Sequence, residues 1–250
     1  EPGSSPAPLW ARSRVVALFE KHADIPLIAA AAAGQAGLAG TPRYEVSEVA
    51  EQDWVRLTQS QFEPIRINER LWIVPSWHRE PDPAAISLEL DPGLAVGTGS
   101  HPTTRLCLEW LCDHLRPGAS VLDYGCGSGI LAIASARLGA AGVTGVDIDR
   151  NALLAAAGNA ERNGAAVQLV HSSQPLDMQF DIVVANILTN PLCVLAPLLA
   201  ARTRPGGRIA LSGILATQAE QVRAAYAPAF DLAVQAEREG WVLLEGLRPC

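Results

Sequence analysis

Three glycines stand within five residues in the stretch 121-VLDYGCGSGILAIASARLG-139, directly after a short apolar run and directly before a helical pattern. A strand that ends in Asp123 and turns through Gly125, Gly127 and Gly129 into a helix presents backbone N–H groups at the positive end of that helix. Because glycine has no Cβ atom, a ligand can approach such a turn closely. The spacing predicts a cofactor-binding turn, and the class of cofactor decides the chemistry.

Two classes of cofactor use a glycine turn of this kind. The dinucleotide fingerprint G-x-G-x-x-G requires its third glycine at position 130, where this chain has Ile130. The order Asp123-x-Gly125-x-Gly127-x-Gly129 is instead similar to the first motif of S-adenosylmethionine-dependent methyltransferases. The turn therefore predicts S-adenosylmethionine. A dinucleotide, or a tight turn that binds nothing, is the alternative.

Acidic side chains follow the second strand of the predicted sheet, in 145-GVDID-149. An acid about twenty residues after the glycine turn, at the carboxyl end of the next strand, is placed to accept both ribose hydroxyls of a cofactor. Asp147 ends the apolar run and is the candidate for that position. Asp149 is predicted to cap the following helix. A solvated aspartate at a strand end is the alternative for Asp147.

Asn186 stands at the carboxyl end of a further strand, in 183-VVANILTNPL-192. The carboxyl ends of parallel strands form the site in an open sheet, so its amide would face the transferable methyl group. Methyl transfer is an in-line displacement on a cationic sulfonium, and the enzyme mainly has to position a lone pair. An amide oxygen can hold an amine without keeping it protonated. Asn186 is therefore the amine-positioning candidate, with a turn-forming asparagine as the alternative.

The segment 91-DPGLAVGTGSHPTTRLCLEWL-111 is rich in Gly, Pro and Thr before it becomes helical. Thr103 and Thr104 are predicted to cap that helix and to turn their hydroxyls toward a ligand at its N-terminus. His101 is the lone candidate for a general base, since an imidazole titrates near neutrality. No acidic partner for it is identifiable, and a structural or solvent-facing histidine is the favoured interpretation.

These candidates need a sheet that brings strand ends together, and the pattern after about residue 85 predicts one. Short, continuously apolar strands alternate with helical stretches, which indicates a parallel sheet covered on both faces. The predicted strands are 86–90, 120–124, 143–147, 167–171, 181–185 and 208–212, and the predicted helices are 103–115, 129–138, 151–163, 191–202 and 215–226. The runs 231–239 and 241–247 predict an antiparallel edge. The fold class is α/β, a Rossmann-like sheet.

The residues before about 85 predict a small α+β portion. Helical spacing or small-residue composition predicts helices, and alternation predicts a strand and a hairpin. The predicted helices are 10–22, about 26–36 and 52–62; the strand is 43–49; the hairpin is 64–75, with Asn68 and Glu69 at its turn. The polar, proline-rich run 78–84 predicts a linker or a domain boundary.

Composition limits the function classes. A net charge of −7 argues against a general nucleic-acid binder and would favour a basic partner such as a ribosomal protein. The five cysteines form no C-x-x-C pair, which predicts buried free thiols and neither disulfides nor a metal site. No run approaches the ~18 apolar residues of a membrane span. The expectation is a cytoplasmic protein that binds neither membranes nor specific nucleic-acid sequences.

Taken together, the motifs resemble the bacterial ribosomal protein L11 (L-eleven) methyltransferase family, whose members are S-adenosylmethionine-dependent lysine and α-amine methyltransferases. The resemblance runs from about residue 10 to the end. Its carriers are DPGLAVGTGSHPTT at 91–104, VLDYGCGSGILAIA at 121–134, GVDID at 145–149, NAERNG at 159–164, ANIL at 185–188 and LSGIL at 211–215. It implies the class I methyltransferase fold, S-adenosylmethionine as cofactor, and contacts to it from Thr104, Gly125, Asp147 and Asn186.

The resemblance also implies a substrate, ribosomal protein L11, free or on the large subunit, methylated at lysine ε-amino and N-terminal α-amino groups. It divides the chain into a partial substrate-recognition domain (1–50), a linker helix and hairpin (51–84) and a catalytic domain (85–250). The opening strands of the recognition domain are expected to be absent, and Val96 and Ser100 replace the usual Phe and Thr. The alternatives are methylation of another protein or a small amine, a nucleotide-dependent oxidoreductase, and a non-catalytic module that binds S-adenosylmethionine.

Overall fold

The computed structural model describes residues 16–17, 19–20, 22–47, 62–91 and 99–250. The chain divides into two compact units, residues 1–58 and 59–250. In the first unit, helix α1 (Ile25–Gln35) begins after Asp24, whose side chain accepts the backbone N–H of Leu27 at 3.1 Å. This carboxylate cap, followed by proline in the first turn, is a strong local signal for a helix start. The helix predicted over about 26–36 is confirmed.

Two other predictions for the first unit fail where the structure describes them. Residues 43–47 form no strand, although they alternate in sequence. Residues 16, 17, 19, 20 and 22 are not helical, and the rest of the helix predicted over 10–22 lies outside the described residues. The helix predicted over 52–62 also lies outside them, except for Phe62. Alternation alone predicts a strand only where a neighbouring strand completes the hydrogen bonds.

A three-stranded sheet opens the second unit. Strands β1 (Ile65–Arg66) and β2 (Leu71–Val74) are antiparallel, and β3 (Ile86–Glu89) runs parallel to β2. The predicted hairpin is therefore present, and its turn is closed by the Asn68 side chain, which accepts the N–H of Arg70 at 2.9 Å. The strand predicted over 86–90 was assigned to the parallel sheet and instead pairs with the hairpin. The apolar run is the same in both settings, and only tertiary pairing distinguishes them.

The large sheet has seven strands in the order β6-β5-β4-β7-β8-β10-β9. The strands are β4 (Ser120–Tyr124), β5 (Gly142–Asp147), β6 (Gln168–His171), β7 (Phe180–Asn186), β8 (Thr203–Leu215), β9 (Ala233–Arg238) and β10 (Trp241–Leu247). Strands β4 to β8 are parallel, and β10 is antiparallel to both of its neighbours. The predicted parallel sheet with an antiparallel edge is confirmed.

Helices cover both faces of this sheet. They are α2 (Pro102–His114), α3 (Ile130–Arg137), α4 (Arg150–Arg162), α5 (Thr189–Arg202) and α6 (Ala219–Tyr226). Successive strand side chains point to opposite faces, so Val121 packs in the cluster with α2 and α3, while Leu122 packs in the cluster with α5 and α6. Both faces are buried, which is why the strands read as continuous apolar runs rather than alternating ones.

The small sheet docks on the large one through the end of α4. Asn163, the C-cap of α4, accepts the backbone N–H of Glu89 at 2.7 Å and donates its amide nitrogen to the Glu89 carbonyl at 2.8 Å. This two-way pairing satisfies both backbone groups of a strand residue. The fully buried side chains of Leu71 and Leu88 join the same core as α2. The sheet β1–β3 is therefore part of the second unit.

Helix α2 is tied to the antiparallel edge by a polar cluster. The Trp110 indole N–H donates to Glu245 of β10 at 3.1 Å, and Arg208 of β8 pairs with the same carboxylate. The His114 ring stacks on Trp110 with centroids 4.7 Å apart. Glu109 accepts two hydrogen bonds from Arg238 of β9 at 3.1 and 3.2 Å. The cluster sets the position of the helix along the edge strands.

Neither a disulfide nor a helix that would cross a bilayer occurs within the part of the chain that the structure describes. No described helix combines the length and the apolarity that a membrane span needs. All five cysteines are free thiols: Cys107, Cys112 and Cys126 are buried, Cys193 is partly exposed and Cys250 is exposed. The prediction of free thiols is confirmed, and the prediction that they are buried is wrong for Cys193 and Cys250.

Replacement of Glu245 by Ala is expected to lower the free energy of unfolding by about 2 kcal/mol, because it leaves a buried indole N–H without an acceptor and Arg208 without its carboxylate. The measurement is urea denaturation followed by circular dichroism. Glu220→Ala is the matched control: that carboxylate pairs with Arg223 on the surface, is 82% exposed, and should cost less than about 0.5 kcal/mol. Equal effects of the two substitutions would contradict this account of the edge.

Candidate active site

The glycine turn after β4 is shaped by its neighbours as well as by its own sequence. Gly125, Gly127 and Gly129 all have positive φ, at 78°, 52° and 79°. A Cβ atom at Gly125 would lie 2.3 Å from Cγ2 of Ile187, and one at Gly129 would lie 3.0 Å from Cβ of Ala156 in α4. Two of the three glycines are thus required for packing. The bare backbone at Gly125 and Gly129 meets protein side chains.

Backbone hydrogen bonds hold this turn in one conformation. The N–H groups of Gly125 and Cys126 both donate to the carbonyl of Val146, at 2.7 and 3.0 Å. The buried side chain of Asn159 in α4 donates to the carbonyl of Ser128 at 2.7 Å. The turn is therefore attached to β5 on one side and to α4 on the other. A fixed turn of this kind presents the positive N-terminus of α3 without reorganisation.

Asp147 lies beside the turn at the end of β5. One carboxylate oxygen accepts the N–H of Gly127 at 2.8 Å, and the other accepts the N–H of Asp149 at 2.9 Å. A carboxylate offers about four acceptor positions, so two remain for hydroxyl donors. Asp149 caps α4 by accepting the N–H of Asn151 at 2.8 Å. The cap predicted for Asp149 is confirmed, and the two acids have different environments.

Asn186 and Thr104 are in direct contact, although 81 residues separate them in the chain. The Asn186 amide nitrogen donates to the Thr104 hydroxyl oxygen at 3.3 Å. Thr104 is the third residue of α2 and is only 2% exposed, whereas Asn186 ends β7 and is partly exposed. With its nitrogen directed to Thr104, the amide presents its oxygen as the acceptor for a ligand.

His101 is the N-cap of α2, and the prediction that Thr103 and Thr104 cap this helix is wrong. The imidazole Nδ1 accepts the backbone N–H of Thr103 at 3.3 Å and lies 2.7 Å from the Thr103 hydroxyl oxygen. Both threonines lie inside the first turn and are buried because the helix packs against the sheet. An Nδ1 that accepts carries no proton, so in the neutral ring the proton is on Nε2. The ring also meets Trp241 edge-on at 5.1 Å.

The predicted site residues form one cluster at the carboxyl ends of β4, β5 and β7. Gly127 contacts Asp147, Gly125 lies against Ile187, and Ile187 follows Asn186, which contacts Thr104. No role for Ile187 or Gly213 follows from the sequence pattern alone. A Cβ at Gly213 would lie 2.2 Å from the Ile187 carbonyl oxygen, so this glycine admits the Ile187 backbone. Ile187 lies in the motif ANIL and Gly213 in the motif LSGIL, and these motifs are the features of the sequence that could have indicated a role.

The site is acidic beneath its surface. Burial raises the pKa of the Asp123 carboxyl to about 7, and the charge of Asp147 adds to the effect, while the Ala132 N–H acts in the opposite direction. Burial and the Asp147 charge also raise the pKa of the Tyr124 hydroxyl. Two carboxyl groups beside a helix N-terminus suit a ligand that carries both positive charge and hydroxyl groups.

Known proteins place the chain in a family. A family model described as ribosomal protein L11 methyltransferase (PrmA) matches residues 1–249. The chain belongs to the ribosomal protein L11 methyltransferase family. It is therefore a methyltransferase, and the predicted enzyme class is confirmed. Membership decides against the alternative of an oxidoreductase.

Individual members of the family are closely similar. The ribosomal protein L11 methyltransferase of Dechloromonas aromatica (strain RCB) is 59% identical over 249 residues, which cover 100% of this chain and 84% of that protein. The corresponding protein of Burkholderia mallei (strain NCTC 10247) is also 59% identical over 249 residues, which cover 99% of this chain and 83% of that protein.

Solved structures support the same fold. The ribosomal protein L11 methylase from Lactobacillus delbrueckii subsp. bulgaricus superposes with a TM-score of 0.70 at 33% identity, over 76% of this chain and 100% of that chain. The T. thermophilus 16S rRNA methyltransferase RsmC, solved in complex with AdoMet and guanosine, gives a TM-score of 0.51 at 27% identity, over 62% of this chain and 45% of that chain. The class I, Rossmann-like fold is confirmed.

The residues of this family member fit the cofactor that such enzymes use. S-adenosylmethionine carries ribose hydroxyls, which suit the free acceptor positions of Asp147, and positive charge, which suits a site with two carboxyl groups. One oxygen of Asp123 is buried without a hydrogen-bond partner among the described residues. An unpaired carboxyl oxygen of Asp123 near the glycine turn is consistent with a cationic ligand. Val96, one of the two departures from the family pattern, lies outside the described residues.

Replacement of Asp147 by Ala is expected to loosen the glycine turn even without ligand, because the N–H groups of Gly127 and Asp149 lose a charged acceptor. A hydrogen bond to a charged group is worth about 1.5–3 kcal/mol, so hydrogen exchange at residues 125–129 should become about tenfold faster or more. The measurement is hydrogen–deuterium exchange by mass spectrometry. Asp149→Ala, which removes the cap of α4, should leave this segment unchanged; equal acceleration in both variants would contradict the assignment.

Proposed function

We propose that this protein transfers methyl groups from S-adenosylmethionine to lysine ε-amino and N-terminal α-amino groups of ribosomal protein L11. The observation that carries the proposal is the Asn186 amide, which ends β7 beside the glycine turn and has its nitrogen directed to Thr104. A neutral acceptor at this position suits an amine nucleophile. The names of the closely similar proteins support ribosomal protein L11 as the substrate.

Cofactor binding is assigned to Gly125, Gly127, Asp147, Thr104 and Asn186. Asp147 would accept the ribose hydroxyls with the positions that Gly127 and Asp149 leave free. When bound, S-adenosylmethionine supplies an electrophilic methyl group on a cationic sulfonium.

Asn186 has the task of positioning the amine. A lysine amine has a reference pKa near 10.4, so only about one in a thousand is neutral at pH 7.4, whereas an α-amino group near 7.7–8.0 is substantially neutral. The Asn186 oxygen accepts an N–H of the neutral amine and thereby directs its lone pair at the methyl group. The fixed contact with Thr104 keeps the amide in that orientation. Such positioning is the main contribution that a displacement of this kind requires.

No described side chain near Asn186 is placed as a general base. The Nδ1 lone pair of His101 is directed to the Thr103 N–H, and Nε2 carries the proton of the neutral ring. Neither nitrogen then offers a lone pair to a substrate amine. The amine therefore loses its proton to water before transfer, helped by repulsion from the cationic sulfonium.

Partner recognition is assigned to the first part of the chain. Residues 1–50 are proposed as a partial substrate-recognition domain and residues 85–250 as the catalytic domain. Of the segment 51–84 between them, the hairpin packs with the catalytic domain in the second unit. The net charge of −7 favours a basic partner, and ribosomal proteins are basic.

A ribosomal protein, free or on the large subunit, is found in the cytoplasm, and the enzyme is assigned to that compartment. A methyltransferase for another protein or a small amine is the second candidate, because the amine site by itself accepts either.

The direct test is incubation with methyl-labelled S-adenosylmethionine and unmethylated large ribosomal subunits or free ribosomal protein L11, followed by mass spectrometry of the labelled protein. Label is expected on lysine ε-amino and N-terminal α-amino groups of L11.

Calorimetry should detect binding of S-adenosylmethionine and no binding of NAD. Gly127→Val should abolish the binding of S-adenosylmethionine, because a branched side chain would occupy the turn. Label on another protein alone, or tight NAD binding, would contradict the proposal.

Asn186→Ala is expected to lower kcat by about 10²-fold with a smaller effect on cofactor affinity, because the amine loses its orienting acceptor.

His101→Ala should keep most of the activity, whereas removal of a general base causes a loss of about 10²-fold or more. The same substitution should lower the free energy of unfolding by about 1 kcal/mol, because α2 loses its N-cap. Lysine methylation at saturating cofactor should rise with pH well past neutrality. Loss of the acidic limb of the pH–activity profile in His101→Ala would show that His101 is the base.

A further inference from the structure

The carboxyl group of Asp123 lies beneath the glycine turn, and the proposed transfer step does not use it. Asp123 stands in β4 two residues before Gly125, and its side chain is fully buried. Its Oδ2 accepts the N–H of Ala132 in the first turn of α3 at 3.0 Å. Its Oδ1 is buried and has no hydrogen-bond partner among the described residues. Buried acceptors without a donor are costly and rare in native proteins, which makes this position unusual.

The groups that face Asp123 do not neutralise a carboxylate. From β5 it faces the acid Asp147; from α2 and from the turn it faces the thiols of Cys107 and Cys126, which burial and nearby acids keep protonated by raising their pKa. Its strand neighbours in the ladder are Gly145 of β5 and Val184 of β7, which carry no charge. Helix α3 contributes the Ala132 N–H and its positive N-terminus.

Two opposing effects therefore act on the Asp123 carboxyl. The positive N-terminus of α3 favours the charged form of the carboxyl. Burial and the charge of Asp147 disfavour it and dominate, since they raise the pKa of Asp123 to about 7. A positive charge brought to the turn would reverse this balance, because an opposite charge within about 4–6 Å favours the ionised form of a carboxyl group.

We propose that Asp123 is a proton switch linked to the charge of the cofactor: its carboxyl holds a proton in the ligand-free protein and releases it when S-adenosylmethionine binds at the turn. The inference rests on the proposed cofactor and adds a role for a residue that does not touch the amine. On binding, the O–H bond of the carboxyl breaks and the proton goes to the solvent. Transfer of the methyl group then leaves a neutral thioether, Asp123 regains a proton from the solvent, and the product is held less tightly.

The linkage has a definite sign. The ionised form of Asp123 binds the cation, so affinity for S-adenosylmethionine is complete above the pKa of the free protein and falls as the pH decreases through it. For a free-protein pKa of about 7 and a much lower value in the complex, affinity should be about tenfold weaker at pH 6 than at pH 8. S-adenosylhomocysteine has the same ammonium and carboxylate groups without the sulfonium charge. The affinity of the protein for S-adenosylhomocysteine should therefore change much less between pH 6 and pH 8.

The experiment is isothermal titration calorimetry of the full chain with S-adenosylmethionine and, separately, S-adenosylhomocysteine. Titrations at pH 7 in buffers of different ionisation enthalpy count the protons released. The expected release is about half a proton per S-adenosylmethionine, since a group at its pKa is half protonated, and clearly less for S-adenosylhomocysteine. Asp123→Asn should abolish the difference between the two ligands. Asp149→Asn is the matched control and should behave like the parent, because asparagine caps a helix as well as aspartate.

A second readout keeps the test decisive if Asp123→Asn does not fold. Infrared difference spectroscopy of the parent protein should show a protonated carboxyl band that disappears when S-adenosylmethionine is added and persists with S-adenosylhomocysteine. Binding without proton release, equal release with both ligands, or a parent-like difference in Asp123→Asn would overturn the inference and leave the proposed function intact. Absence of S-adenosylmethionine binding at every pH would overturn the proposed function, and the inference with it.

Discussion

Ile187 is fitted between two glycines, and the geometry of the site depends on that close approach. Its Cγ2 atom lies where a Cβ of Gly125 would be, and its carbonyl oxygen lies where a Cβ of Gly213 would be. Any side chain at either glycine would push the end of β7 outward. Because Ile187 directly follows Asn186, this packing holds the Asn186 amide within hydrogen-bond distance of Thr104. The ends of β4, β7 and β8 are thereby adjusted to one another.

The same turn combines rigidity with concentrated acidity. Hydrogen bonds to the carbonyl of Val146 and from Asn159 fix the backbone, while Asp123 is buried beneath it and the partly exposed Asp147 lies beside it. Burial without a cation disfavours ionisation of the Asp123 carboxyl, so the site is electrostatically incomplete by itself. A cationic ligand would complete it. The overall net charge of −7 has the same sign as the site and would attract a basic protein at longer range.

Helix α2 links this site to the antiparallel edge of the sheet. Its first turn carries Thr104, and its later turns are held by the contact of Trp110 with Glu245 and of Glu109 with Arg238. The contacts of α2 with β9 and β10 therefore help to fix the position of Thr104, which contacts Asn186. This arrangement gives the two closing strands a function beyond sheet completion. They support the alignment of the helix that forms one wall of the site.

Local chemistry in the sequence was enough to determine the turn, the acids and most of the elements. The glycine spacing, the strand-end positions of Asp147 and Asn186, and the cap at Asp149 are properties of short segments, and the structure reproduces the strands and helices after residue 100 closely. Tertiary packing decided the rest. The strand 86–89 joined the hairpin because parallel pairing with β2 depends on a partner and not on its own residues. His101 became the cap of α2, and Gly125 and Gly213 became packing positions against Ile187, because these contacts join residues far apart in the chain that no local pattern records.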